Sequence, residues 1–316
     1  MPTVAPTLHA IDYVAGTPVP VQSLADHGFP IETVDALLDK GVHSFAVLDQ
    51  TLDIPLRACT RRALDKAGIG GDEIDAVILV TESFSSLFES GESESFRQIR
   101  NRAFTFFQEA GINKASLFCA TYGGCTNFLQ AALTARTLVQ QGLSRHVLLV
   151  AAERFPTLAS RLMDEAVSLA GDGVAACVIS AAAPADTGFR LDFVSLAPYR
   201  NMTPGADLAT MLLEMFRSMK HAAADCYDAC RMQPGDYRWI VLGDYNRNTT
   251  LTYSKLLGFP PERAFIENVG RYGHIPFDPL INLADLLGQG HAVPGDAVLL
   301  FLCGPVSCGA VSVTLC

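Results

Sequence analysis

Unbroken apolar runs punctuate the chain: AVILV at 76–80, VLLVAA at 147–152, VAACVI at 174–179 and AVLLFL at 297–302. Runs this short, with no polar residue alternating, predict strands covered on both faces by layers of helix. The segments before them carry the helices. RACTRRALDKA, 57–67, reads as a helix, followed by a turn at Gly68–Asp72 and the strand ending at Thr81; 222–242 repeats that order of helix, turn and strand. A second matched pair follows each unit. Thr126–Gln141 is a helix leading to HVLLVAAE, and Pro279–Leu287 is a helix leading to GDAVLLFLCG. Further strands, GVAACVIS from Gly173 and GAVSVTL from Gly309, then close each half. The same plan is written twice, so the pattern predicts two similar α/β halves, 1–184 and 185–316, joined near Ala182–Gly188.

Composition narrows the class. A chain of 316 residues, 49% hydrophobic and 18% charged, can bury a large core. Its formal charge of −10 and its lack of clustered Lys and Arg argue against a nucleic-acid partner. No apolar stretch reaches the roughly 18 residues that span a bilayer, and the first 30 lack a cationic start followed by an apolar core, so a cytoplasmic protein with no membrane partner is expected. Nine cysteines, an odd number scattered over the chain, read as reduced thiols. Cys226 and Cys230 share a helix face without a histidine or second pair to complete a zinc site, so they are assigned to the core.

Cys119 and Cys125 remain, and Cys125 stands apart. It follows two glycines and precedes a helix in TYGGCTNFLQAALTA, 121–135. The positive end of a helix dipole favours thiolate, the glycines let a substrate approach the sulfur, and the backbone N–H of Cys125 is placed to stabilise an oxyanion. His274 occupies the equivalent place in the second half, after the glycine of YGH and before the third helix. Pseudo-twofold packing brings the two helix starts face to face, with a thiol meeting an imidazole where the halves join.

At these residues the chain resembles a known family. CTNFLQAAL, from Cys125, is similar to the cysteine-plus-helix signature of the type III β-ketoacyl synthases of the thiolase superfamily. LAGDGVAACVIS (169–180) resembles that family's Gly-Asp-Gly strand start, AGIGGDEIDAVILVTES (67–83) its second strand with the preceding helix, and VPGDAVLLFLCGPVSCGAVSVTL (293–315) its C-terminal Gly-rich turn and last strand. The likeness runs from about Leu52 to the end, leaving out the first 50 residues and the acidic stretch at 87–102. It implies the thiolase fold, two pseudo-symmetric halves in a five-layered α-β-α-β-α core, and a homodimer with the strand that ends half one at its interface. It also implies that Cys125 is acylated by a thioester carried on coenzyme A or acyl carrier protein, with no permanently bound cofactor. Arg154 and Arg161 are candidates for docking the carrier.

Two departures from the family bear on the reaction. Its usual His-x-x-Asn is replaced by VLGDYNRNTT, with Gly243, Asp244 and Tyr245 where the histidine falls, and His274 stands where an asparagine is expected. Some members from natural-product pathways carry Cys-His-Asp, and the chain resembles them. Cys125 is then the nucleophile and His274 the base that holds or takes its proton, with Asp278 orienting the imidazole and Asp244 the rival for that role. A metal at His274 and Asp278 is disfavoured, because Pro276 and Pro279 interrupt a helical turn and no third ligand lies near. In the C-terminal turn Pro305 has no N–H to give, so a second oxyanion donor must come from Gly304 or Val306.

The missing histidine favours acyl transfer. Decarboxylating condensation needs two donors on the malonyl thioester oxygen, whereas one imidazole beside an acid suits a base acting on a small-molecule acceptor. A decarboxylating β-ketoacyl synthase and a non-catalytic partner subunit of a heterodimeric synthase are the competing readings. Phe96, Phe104, Phe106 and Phe107, near Arg97, Arg100 and Arg102, read as a helix with a core face and a solvated face, and Trp239 as core.

Overall fold

The computed structural model describes residues 5–83, 96–163, 167–181, 188–200 and 207–316. The first half runs β1 (Thr7–Ala15), β2 (Thr17–Pro20), α1 (Ile31–Asp39), β3 (Ser44–Val47), α2 (Asp53–Ala67), β4 (Ala76–Val80), α3 (Phe96–Glu109), β5 (Ser116–Ala120), α4 (Asn127–Gln140), β6 (His146–Glu153) and β7 (Gly173–Ser180). The second runs β8 (Gly188–Pro198), α5 (Leu208–Cys230), β9 (Trp239–Leu242), α6 (Arg247–Leu256), β10 (Ala264–Phe265), α7 (Asp278–Gly288), β11 (Ala297–Cys303) and β12 (Ser307–Leu315). The expected boundary at 184/185 falls within 182–187, and the acidic residues 87–95 and the side chain of Phe96 likewise lie outside the described residues.

Ten strands form one sheet in the order β10-β9-β11-β12-β8-β1-β7-β6-β4-β5. Outward from the β8/β1 junction the two halves are alike. β7 and β12 pair antiparallel with both neighbours, and the outer three strands on each side, β6-β4-β5 and β11-β9-β10, are parallel. Parallel strands need crossover helices, which explains why helix and strand alternate along the sequence.

The unbroken apolar runs follow from burial on both faces. On β4, Val77 and Leu79 point to an outer layer with Leu56 and Cys59 of α2 and Phe106 and Phe107 of α3, while Ile78 and Val80 point inward. The inner layer is α4 and α7. Phe128 and Leu129 of α4 and Leu280 and Leu283 of α7 are fully buried between the half-sheets, each worth about 1.5–3 kcal/mol of apolar burial. The fifth layer is α5, whose Met219, Ala222 and Cys226 pack on Ile240, Leu299 and Phe301. These are the five layers of the thiolase fold.

The first 50 residues, which the likeness leaves out, supply β1 at the centre of the sheet between β7 and β8. Some expectations are corrected. The strand that ends half one, β7, is flanked by β1 and β6 and buried throughout, so it offers no edge to a partner. The first half's edge of the sheet is β5, where Leu117 and Phe118 are each 40% exposed; the other edge is β10. Trp239 is only partly buried and donates its indole N–H to His291 O at 3.0 Å. On α3 the expected core and solvated faces are present: Phe106 and Phe107 enter the core while Phe104 stays exposed.

Candidate active site

The parallel strands β4 and β5 end side by side at Val80 and Ala120, and the chain leaves β5 through Thr121–Gly124 into α4. Crevices at the C-terminal ends of parallel strands are the usual ligand sites of such sheets. Cys125 sits in a single 3-10 turn, Gly124–Thr126, at the head of α4. Asn127 Oδ1 accepts the Gly123 N–H at 2.7 Å, and Thr126 Oγ1 donates to Gly123 O at 2.7 Å while meeting Ser307 Oγ at 3.0 Å. Gly124 adopts φ +60°, and a Cβ there would lie 2.2 Å from Pro305 Cδ. The proline that departs from the Gly-rich turn therefore packs directly on the cysteine's turn. Gly124→Ala is expected to displace Cys125 and slow its acylation about 100-fold, as a misplacement of an ångström does; an unchanged rate of acyl-enzyme formation would contradict this contact.

His274 is seated by the LAGDG segment. Its N–H donates to Leu169 O at 2.7 Å, and its carbonyl accepts the Gly171 N–H at 2.9 Å. Gly273, at φ +69°, lies so close that a Cβ would come within 2.3 Å of Leu169 O. Asp172 anchors the segment. Fully buried, it accepts the N–H groups of Leu48 and Phe155 at 3.0 and 2.9 Å and pairs with Arg161 at 2.8 Å. Arg161 is itself buried, donating also to the carbonyls of Ala46, Ala170 and Phe155, so it is not available to dock a carrier.

The two helix heads meet in the central layer. Cys125 Sγ and His274 Nε2 are 2.9 Å apart, and His274 Nδ1 lies 2.6 Å from Asp278 Oδ2. The prolines do prevent a regular helix between His274 and Asp278, but a turn closed by Asp278 N–H to Ile275 O at 2.7 Å still brings the side chains together. Asp278 also accepts the N–H groups of Ile275 and Asp244, both at 2.6 Å. Asp244, the rival acid, reaches the imidazole only through that backbone bond, because its carboxyl faces Asn282 Nδ2 at 3.1 Å. Among the described residues no group of three metal-ligating side chains is present.

The charges follow from this geometry. Burial opposes a charged His274, but Cys125 and Asp278 beside it prevail and hold the imidazole protonated well above its usual range. Burial, reinforced by the Asp278 charge, pushes the Asp244 carboxyl up, which favours its neutral form. The imidazolium therefore stands between the Cys125 sulfur and the Asp278 carboxyl.

Sequence reasoning did not assign a role to Tyr245. Its ring lies against the His274 ring at a centroid distance of 4.6 Å. A Cβ on Gly243 would meet that ring at 2.8 Å, so the tyrosine fills the space into which a side chain at 243 would project. Its hydroxyl donates to Cys303 O at 2.7 Å and accepts the Cys303 N–H at 3.0 Å, which fastens the end of β11 to the site. The signal was in the sequence, as a bulky aromatic beside a glycine where a histidine was due. Gly304, expected as an oxyanion donor, is corrected here: its N–H closes the β11–β12 turn on Ser307 O at 2.8 Å.

Together the sheet order, the five layers and the thiol–imidazole contact define a thiolase-fold protein. Residues 121–196 match the family model of 3-oxoacyl-[acyl-carrier-protein] synthase III. The β-ketoacyl-[acyl-carrier-protein] synthase III 2 of Vibrio vulnificus is 28% identical over 262 residues, covering 76% of this chain and 68% of its own. Among solved structures, the acyltransferase ChlB3 matches with a TM-score of 0.80 at 18% identity, covering 98% of both chains. The 3-oxoacyl-[acyl-carrier-protein] synthase III of Aquifex aeolicus matches at 0.76 and 17%, covering 98% of this chain and 99% of its own. The chain thus has the thiolase fold and is similar to the type III β-ketoacyl synthases. No helix among the described residues is long and apolar enough to cross a membrane.

Proposed function

We propose that this chain is a cytoplasmic acyltransferase of specialised metabolism. It takes an acyl group from a coenzyme A or acyl-carrier thioester onto Cys125 and passes it to a small-molecule acceptor. The Cys125 thiolate, its proton held by His274, attacks the thioester carbonyl while the N–H of Cys125 stabilises the oxyanion. The tetrahedral intermediate collapses, the donor thiol leaves with a proton from His274, and Asp278 keeps the imidazole in register throughout. A homodimer paired through the exposed β5 edge completes the reading; sedimentation should give twice the chain mass, and a monomer would count against it.

One observation carries the choice of acyl transfer over condensation. The Tyr245 ring fills the space beside Gly243, and its hydroxyl is committed to both backbone groups of Cys303, so it gives no second hydrogen bond to a malonyl thioester oxygen. Without that donor an enolate formed by loss of carbon dioxide is poorly stabilised.

The decarboxylating alternative is supported by the names of the curated relatives, which are β-ketoacyl synthases. Labelled malonyl-CoA and malonyl-carrier protein decide between the two. Release of labelled carbon dioxide is expected to stay at background while an acyl-CoA still acylates Cys125; turnover-dependent release would favour the synthase. The adjacent Cys125 and His274 argue against a silent partner subunit, which needs neither.

A further inference from the structure

We propose that Cys303 and Cys308 form a disulfide under oxidising conditions, and that this modification slows acylation of Cys125. The bond itself is independent of the acyl-transfer reading above, whereas its effect on Cys125 rests on that reading.

The β11–β12 hairpin builds the pair. Cys303 ends β11 and faces Cys308 of β12 in register; both are free thiols, and their sulfurs lie 2.9 Å apart. The Gly304 N–H closes the turn on Ser307 O, so the next pair outward exchanges no backbone bonds, and the Cys303 N–H and carbonyl are bonded to Tyr245 instead. Facing residues of that kind sit with their Cα atoms about 4.5 Å apart, within the roughly 4.4–6.8 Å that a disulfide spans. The bond therefore forms without any change of strand pairing.

The loop between the two sulfurs is the one that touches the nucleophile's turn. Gly304 and Pro305 press on Gly123 and Gly124, the residues just before Cys125: a Cβ on Gly304 would lie 2.3 Å from Gly123 O, and one on Gly124 would lie 2.2 Å from Pro305 Cδ. Tyr199 holds the loop from another side, its hydroxyl donating to Gly304 O at 2.9 Å and lying 3.4 Å from Cys308 Sγ. Tyr245 ties the Cys303 backbone to the His274 ring. A disulfide brings the sulfurs to about 2.05 Å, so the hairpin tightens. Side-chain rotation absorbs part of that movement, and the remainder reaches Gly123, Gly124 and Tyr245.

Cys303 is partly exposed and Cys308 buried, so the oxidant arrives at Cys303. Burial of its sulfur, with Cys308 and the Cys125 charge adding to it, pushes the Cys303 thiol well above its usual range. A thiol held protonated reacts slowly, and its disulfide resists reduction because the reduced pair gains nothing from thiolate formation. The pair is thus a slow and lasting lock. Its oxidant is a low-molecular-weight disulfide, RS–SR. The Cys303 sulfur loses its proton and attacks one sulfur of RS–SR; the Cys303–SR bond forms, and RS⁻ leaves with the electron pair and is protonated. Cys308 in turn loses its proton and attacks Cys303 Sγ, forming the Cys303–Cys308 bond and releasing a second RSH. Two protein thiols are oxidised, and one small disulfide is reduced to two thiols.

The test has two arms. In the first, Cys125→Ala, which lacks the nucleophile's own thiol, is incubated with glutathione disulfide, alkylated and cut with trypsin. Peptide 272–316 carries Cys303, Cys308 and Cys316, since no Lys or Arg follows Arg271. It should lose two hydrogens with only Cys316 alkylated, and that loss should vanish when Cys303→Ser or Cys308→Ala is added. In the second, wild type is acylated from an acyl-CoA to mask Cys125, oxidised, released with hydroxylamine and acylated again. The oxidised enzyme should re-acylate about tenfold more slowly than the reduced one, dithiothreitol should restore the rate, and Cys308→Ala should show no such difference. Cys303 and Cys308 both open to alkylation, or capped separately by glutathione, overturn the proposal, as does an equal rate in the oxidised and reduced enzyme. A wild type that never acylates removes the underlying reading, and the Cys125→Ala peptide still decides the disulfide.

Discussion

Asp278→Asn should lower acyl transfer by about 1,000- to 10,000-fold while leaving the protein folded, in line with amide replacement of a buried triad acid elsewhere. Asp278 Oδ2 receives both the His274 ring N–H and the Asp244 N–H, and Oδ1 receives the Ile275 N–H. All three neighbours are donors, so an amide cannot satisfy them. With its NH2 toward Ile275 it opposes donor to donor; flipped, it opposes His274 and loses the imidazolium's counter-charge. Asp244→Asn provides the contrast. Burial favours the neutral form of that carboxyl, which accepts from Asn282 and does not touch the imidazole, so an amide of the same shape should leave the rate within about threefold. Single-turnover rates with matched melting curves for the two variants check this. Equal losses would mean that Asp244 shares the orienting role.

The largest expected loss of stability lies one shell away. Asp172→Ala removes the partner of Arg161, both residues being buried, and strands the N–H groups of Leu48 and Phe155. Breaking a buried ion pair from one side costs about 3–5 kcal/mol, chiefly because the surviving charge stays buried. Urea denaturation should show a loss of that size. Because residues 169–171 bond directly to His274, Cys125 acylation should fall in parallel under conditions where the variant remains folded. A loss below about 1 kcal/mol would mean that Arg161 finds solvent or another partner, and that Asp172 is not the anchor described.

Much of the fold was legible because burial on both faces of a parallel strand leaves an unbroken apolar run. HVLLVAAE and GVAACVIS coincide with β6 and β7, and the helices after Cys125 and His274 fall within a residue or two of their expected bounds, whereas α5 starts 14 residues before the expected 222. β1 was not legible despite its central place. TLHAIDYVA mixes His9 and Asp12 into its run, and a break in register between those residues and a φ of +53° at Ala10 disrupt the period of two. His9 is accommodated only because β7 supplies Ser180 Oγ at 2.9 Å, a partner 171 residues away.

The site was legible to a similar degree and for related reasons. A cysteine after glycines at a helix head is a local signal, and the internal repeat placed His274 opposite it. The choice between Asp278 and Asp244 depended on which carboxyl turns toward Nδ1, which spacing does not encode. Gly304 appeared suitable as a donor because it lies in the right turn, but the turn's own closure on Ser307 takes its N–H. Tyr245 meets the site through a residue far away in sequence, His274.

The central claim is that Cys125 carries the acyl group. Intact-protein mass spectrometry after mixing the enzyme with a panel of acyl-CoA and acyl-carrier thioesters tests it directly, with Cys125→Ala as the control. A gain of one acyl mass in wild type and none in the variant is the expected result, and it identifies the donor class as well. An unlabelled wild type, or a variant labelled equally, would contradict the assignment of Cys125 as nucleophile.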